Sequence, residues 1–349
     1  MTMESTDMTQ ALSAPRSRKV SLPFARLGYG AAALALLAAT GVLEGYELFL
    51  ASSILSYAIA AMGLNVLMGY NGQISLGHGA FFAIGAYAAA ICIDRFAVPF
   101  ALTPVIAGIV GMGAGWLIGK PALRLEGVYL ALATFGLAIA TPTVLRSDLF
   151  AEWTGGVQGL FLLINPAPEW AGLDLDQSIY LAVVGYFLLF AFLTLRLVRG
   201  LNGKAWIATR DNPIAARAMG FDVTRAKTRA FVFSVLACSV GGALQAVAVQ
   251  FVAPDSFPFF LSISLFTAVV VGGLCSPLVG PLLGAVFIVM VPNVTEEIWQ
   301  GGSWAVYGGV IIAIMAIQPR GLAGMLGWVK GKLTTHTNRK QQTGRNRPC

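Results

Sequence analysis

Between two apolar segments of membrane-spanning length the chain reads Gly69-Tyr70-Asn71-Gly72-Gln73-Ile74-Ser75-Leu76-Gly77-His78-Gly79. Four glycines here alternate with Asn71, Gln73, Ser75 and His78, side chains that can hydrogen-bond, carry protons or ligate metals. His78 has no second ligand at metal spacing, and the only other histidine is His336 in the C-terminal tail. A metal centre or proton relay is therefore the weaker reading, and no metal ligands are assigned. Unwound backbone at membrane depth is tolerated only inside protein or beside a cavity, and glycine permits that geometry. Asn71, Gly72, Gln73, Ser75, Gly77, His78 and Gly79 thus line a pathway or form a hinge, or else make a tight cytoplasmic re-entry with a packed helix start. Spacing alone leaves these alternatives open.

A second cluster is electrostatic. The island from Arg196 to Arg229 holds eight of the 23 Lys and Arg residues but only two acids, Asp211 and Asp222. Within it, Asp211 to Gly220 reads as a short helix with its own start and stop. Asn212 suits the N-cap, Pro213 the first helical position and Gly220 the C′ position. A capped helix inside the longest basic loop of a membrane protein reads as a docking surface.

Missing features narrow the chemistry. The chain has no Gly-rich loop ending in Gly-Lys-Ser/Thr, no His-Glu-x-x-His and no convincing nucleophile–base–acid set, so no catalytic residues are assigned. No apolar span carries a clear ionised residue, which argues against proton- or sodium-driven antiport and against voltage sensing. Any energy for uphill movement belongs on another polypeptide. The cysteines, Cys92, Cys238, Cys275 and Cys349, are dispersed and read as small buried hydrophobes.

The elements that must position these residues follow from composition. Of 349 residues 57% are hydrophobic and 11% charged, against about 25% charged in soluble domains, and the mean hydropathy is +0.74. Apolar runs of about 15–25 residues suit helices crossing roughly 30 Å of hydrocarbon, without the alternation of a β-barrel. The expectation is an all-α polytopic membrane protein of about ten spans, near residues 27–43, 48–68, 80–93, 98–119, 127–145, 178–195, 230–252, two meeting at a tight break near 272–280, and 304–318. The first span is read as a retained helix rather than a signal peptide. A basic tail, residues 1–26, precedes a membrane domain over 27–325, interrupted by the 196–229 loop and followed by a second basic tail, 326–349. With the N-terminus inside, every Lys and Arg except Arg95 and Arg146 falls on the inner side, while most acids fall outside. That asymmetry places both termini and the island in the cytoplasm. Basic charge confined to loops and ends, without interleaved aromatics, argues against nucleic-acid binding. The outer segment Trp153–Leu160 reads as an interfacial loop or a contact for a solute or partner. Gly241 and Gly242 read as helix-contact glycines, and Gln245 needs a partner or a wet lumen.

Several segments together resemble the LivM-type permease of bacterial branched-chain amino acid ABC importers, over most of residues 45–325. The most specific are Gly63–Phe82 and Thr209–Pro213, supported by Leu123–Tyr129, Thr154-Gly155-Gly156, Gly272-Gly273 and Gln318–Gly321. The resemblance implies an inner-membrane importer subunit paired with a homologous, LivH-type second permease. It also implies two cytoplasmic ATPases that bind ATP and magnesium, and a periplasmic solute-binding protein that delivers the cargo. Arg210, Asp211, Asn212, Pro213, Ile214, Arg217, Ala218, Met219, Gly220, Phe221 and Arg225 match the loop that docks the ATPase in such families. Ile214, Ala218 and Phe221 are read as its apolar anchor, with Arg210, Arg217 and Arg225 orienting it. The chain itself would then be no enzyme and hold no cofactor. Branched-chain or related amino acids are the first reading of the cargo, with urea and short amides, carried by related permeases, the second. An ATP-independent channel or secondary transporter is the alternative of a different class, and a membrane scaffold is the third.

Overall fold

The computed structural model describes residues 34–41, 43–122, 127–164 and 174–298, with short pieces between 308 and 324. Residues 34–41 form helical turns in a unit of their own, Met1–Val42. Everything else belongs to the second unit, built from helices. They are α1 (Gly45–Asn65), α2 (His78–Phe96), α3 (Thr103–Ala122), α4 (Val128–Arg146), α5 (Asp148–Thr154), α6 (Leu175–Arg199), α7 (Leu201–Asp211), α8 (Pro213–Ala218), α9 (Val223–Val249), α10 (Phe259–Gly272) and α11 (Val279–Ile298). A five-residue π-turn, Val66–Tyr70, continues α1.

Among the described residues seven helices, counting α1 with its π-turn, are long and apolar enough to cross a membrane, and α3 carries a further apolar run, Thr103–Gly119. These eight coincide with eight of the ten expected spans. Of the remaining two, the one near 27–43 is described only from residue 34, as short helical turns, and the one near 304–318 lies largely outside the described residues, as do both basic tails. The break near 272–280 is real. α10 stops at Gly272, Gly273 takes φ +112°, and α11 begins at Val279.

The centre of the bundle is the pair α1 and α9, with α2 and α3 against α9 and α11 and α6 against α1. Small residues bring these axes together. A Cβ on Gly63 would sit 2.6 Å from the Ala237 Cβ, and one on Gly241 would sit 2.7 Å from the Ser56 carbonyl oxygen. Such close approach replaces the hydrophobic drive that lipid surroundings do not supply. Gly241 and Gly242 are therefore contact glycines, the latter against the Phe82 backbone.

The two ends of the bundle differ in charge and each is tied together internally. At the acidic end the guanidinium of Arg95 reaches the Glu152 carbonyl and lies 5.6 Å from the Trp153 ring centre. Arg146 pairs with Asp255 there. The only basic residues expected outside are both held by acidic or aromatic partners. Trp153–Leu160 is more ordered than an interfacial loop: α5 ends at Thr154 with Gly155 as its C-cap, and β1 (Leu160–Phe161) pairs antiparallel with β2 (Phe251–Val252). This small ribbon qualifies the all-α expectation. At the basic end the 69–79 link, the 273–278 turn and the 196–229 island meet.

Candidate functional site

The island is more structured than one capped helix. α6 runs on to Arg199, α7 occupies Leu201–Asp211, and α9 starts at Val223. α7 is docked by Gly203, Trp206 and Thr209, its buried residues at three-residue spacing. Trp206 is 1% exposed and its indole Nε1 donates to the Ala226 carbonyl at 3.0 Å. The short helix forms as its caps demand. The Asn212 side-chain oxygen accepts from the Ile214 and Ala215 amides, both at 3.0 Å, Pro213 opens the helix, and Gly220 takes φ +84° beyond it. Ala216 faces the protein, whereas Ile214 and Met219 stand 77% and 65% exposed, beside exposed Ala218 and half-buried Phe221.

The three arginines expected to orient a partner separate into different roles. Arg225 pairs with Asp222 at 3.0 Å, the residue that caps its own helix. Arg210 is turned inward. Its guanidinium donates to the Gly69 carbonyl at 2.7 Å and to Cys275 Sγ at 3.1 Å, while Asp211 holds its other edge at 2.9 Å. Arg217 is exposed and has no hydrogen-bond or ion-pair partner among the described residues.

Beneath Arg210 lies the polar link, packed between helices. Gly72 adopts φ +73°, and a Cβ there would come 2.6 Å from Arg210 Cγ, so the arginine stem rests on the glycine. The Leu76 amide donates to Thr134 Oγ1 of α4 at 3.1 Å, and the Gly79 amide to Ser262 Oγ of α10 at 3.0 Å. A Cβ on Gly77 would meet the Thr134 backbone at 2.6 Å. His78 is fully buried, with Nδ1 3.0 Å from Ser75 Oγ and Nε2 2.6 Å from Ser234 Oγ of α9. It ties the start of α2 to the centre of the bundle. Asn71 and Gln73 are buried, yet both amide atoms of each lack partners among the described residues. Buried amides are normally satisfied, so these mark a place where the packing is not complete.

Two residues not assigned from sequence close the arrangement. Asn65 Nδ2 donates to the Ser276 carbonyl at 2.6 Å, and the Tyr70 hydroxyl donates to the Cys275 carbonyl at 2.7 Å. They clamp the 273–278 turn against the π-turn. Cys275 is exposed at φ +63°, with Sγ 3.1 Å from the Gly69 carbonyl, so it is not the buried hydrophobe expected; Cys238 is buried and Cys92 half-buried. Cys349 lies outside the described residues, as do Leu123–Glu126 and Gln318–Arg320 of the supporting segments. Gly321 is described, and its backbone rests against Gly273. The contacts run in series from an exposed capped helix, through Arg210, to a buried link touching α4, α9 and α10.

Comparison with known proteins decides the class. The family described as branched-chain amino acid transport system / permease component matches residues 47–317. The chain belongs to this family. The permease is 32% identical to the high-affinity branched-chain amino acid transport system permease protein LivM of Salmonella typhimurium over 301 residues, covering 79% of this chain and 69% of that one. It is 25% identical to the probable branched-chain amino acid transport permease protein LivH of Methanocaldococcus jannaschii, covering 85% and 96%. Identity is also 25% to the autoinducer 2 import system permease protein LsrC of an Enterobacter species, covering 78% of each. No solved structure matches. The permease is therefore a multi-pass membrane transport protein.

Proposed function

We propose that this chain is one permease subunit of an ATP-driven importer in a bacterial inner membrane, with both termini cytoplasmic. It carries branched-chain or related amino acids delivered by a periplasmic binding protein. A homologous, LivH-type permease forms the other half, and two ATPases, which hold ATP and magnesium, dock on the basic end. The chain performs no covalent chemistry. The observation that carries this reading is the linkage itself. A capped helix presents Ile214, Met219 and Arg217 outward, while its neighbour α7 is locked by Arg210 to the buried link. Movement of a docked ATPase is then delivered to α1, α2, α4, α9 and α10 through hydrogen bonds and close packing. Differential contact in two arrangements is what lets a partner shift the equilibrium between them.

The test is uptake of L-leucine into proteoliposomes holding the assembled importer. Uptake requires the ATPases, the loaded receptor and ATP hydrolysis. Full flux through the isolated chain without ATP would instead indicate a channel or secondary transporter. ATP-dependent uptake confined to urea or short amides would retain the machine and change its cargo.

A further inference from the structure

The linkage at the basic end leaves unexplained a cavity of about 280 Å³ near the opposite end. It lies among α1, α9, α10 and α11, where Ser53, Tyr57, Gln245, Ser264 and Asn293 face it. Gln245 Nε2 donates to Ser53 Oγ at 3.2 Å, but its Oε1 is buried and has no partner among the described residues. A bare carbonyl oxygen in a desolvated wall is a site for an N–H donor, since leaving it unsatisfied is costly. The rest of the wall is apolar, from Leu50, Leu261, Ile288, Val289 and Pro292 with the Phe49 ring. No residue facing the cavity carries a charge. Towards the basic end α1 is sealed, every residue from Ala58 to Leu67 being buried. The space thus lies in the acidic half of the bundle, with α1 closely packed on its basic side. Its size falls just below the roughly 300–1,000 Å³ of pockets that hold drug-sized ligands, which suits one small solute.

We infer that this cavity is a transient solute site within the permease itself, taking a small zwitterion with a compact aliphatic side chain. The Gln245 amide turns so that its unpartnered Oε1 accepts from the ammonium, the hydroxyls of Ser53 and Ser264 and the Asn293 amide serve the polar end, and the apolar wall covers the side chain. A neutral wall disfavours solutes of net charge, because a lone buried charge without a counter-ion is expensive. The inference rests on the amino acid import reading above and adds where the cargo pauses after leaving its receptor.

The test uses the complete importer in proteoliposomes with loaded receptor outside and ATP inside, reading labelled L-leucine uptake and ATP hydrolysis together. Gln245→Leu removes the acceptor with little change of bulk; Ser264→Val alters the facing helix and serves if the first variant does not assemble. The expected result is uptake reduced at least about tenfold, the size of one lost hydrogen bond to a charged group, with receptor-stimulated hydrolysis retained. Unchanged uptake in the assembled variants overturns the inference. So does a parallel fall of uptake and hydrolysis, which marks a packing role. A wild-type importer that hydrolyses ATP but moves no L-leucine overturns the cargo reading and the assigned ligand together.

Discussion

Arg210→Met is the most informative single change, because it cuts the linkage without touching the exposed face of α8. Methionine keeps much of the apolar stem that rests on Gly72 but removes every guanidinium contact. Two of those reach across the fold, to the Gly69 carbonyl at 2.7 Å and Cys275 Sγ at 3.1 Å. The third, to Asp211, joins side chains that are 34% and 60% exposed and adds little. A charge-assisted hydrogen bond contributes about 1.5–3 kcal/mol, and partial exposure puts this case at the lower end. A coupling carried by that contact cannot exceed the contact's own free energy, so about 2 kcal/mol, or roughly 30-fold, is the ceiling on the effect. The assay is the ratio of L-leucine transported to ATP hydrolysed, with ATPase co-purification as a control. The expected outcome is a ratio lowered by about ten- to thirty-fold with ATPase association retained. An unchanged ratio would refute the idea that movement passes through Arg210, and lost association would make Arg210 part of the docking surface.

Gly72→Ala forces a Cβ into the left-handed region beneath the Arg210 stem, and the midpoint of thermal unfolding in detergent should drop by the equivalent of about 1–2 kcal/mol. Adding Arg210→Ala should relieve the clash but not the backbone strain, so the two changes will not be additive. Trp206→Phe breaks the indole bond to the Ala226 carbonyl and shrinks a buried side chain, costing about 1–3 kcal/mol. Hydrogen exchange should rise across residues 201–211 while the centre of α1 stays protected; a uniform rise along the chain would contradict local anchoring of α7.

What the sequence made legible is what acts over short range. Asn212, Pro213 and Gly220 announce their helix because capping needs only neighbouring backbone groups. The break at 272–280 is written in its glycines and prolines. Charge asymmetry sorted the two ends because it is a property of whole loops. The clamp of Asn65 on Ser276, the Tyr70 contact and the Arg210 bridge are different. They join residues far apart in sequence, and nothing local to Arg210 distinguishes an arginine that points inward from one that points out. α7 was readable in principle, since Gly203, Trp206 and Thr209 recur at helical spacing, but basic residues around them obscured the buried stripe. The β1–β2 ribbon gave no signal because two-residue strands have no period. Gln245 was marked only as a polar residue needing a partner, and its cavity depends on four helices converging.

The central claim is that the exposed face of α8 is where an ATPase docks. Arg217→Glu tests it most directly, because this side chain supports nothing within the described fold and an exposed substitution of this kind shifts stability by no more than about 0.5 kcal/mol. The measurement is affinity for the cognate ATPase in a pull-down from detergent, alongside the unfolding midpoint. The account predicts affinity lowered at least about tenfold with an unchanged midpoint, as expected for a repulsive charge placed at a docked interface. Wild-type affinity in a correctly folded variant would contradict it.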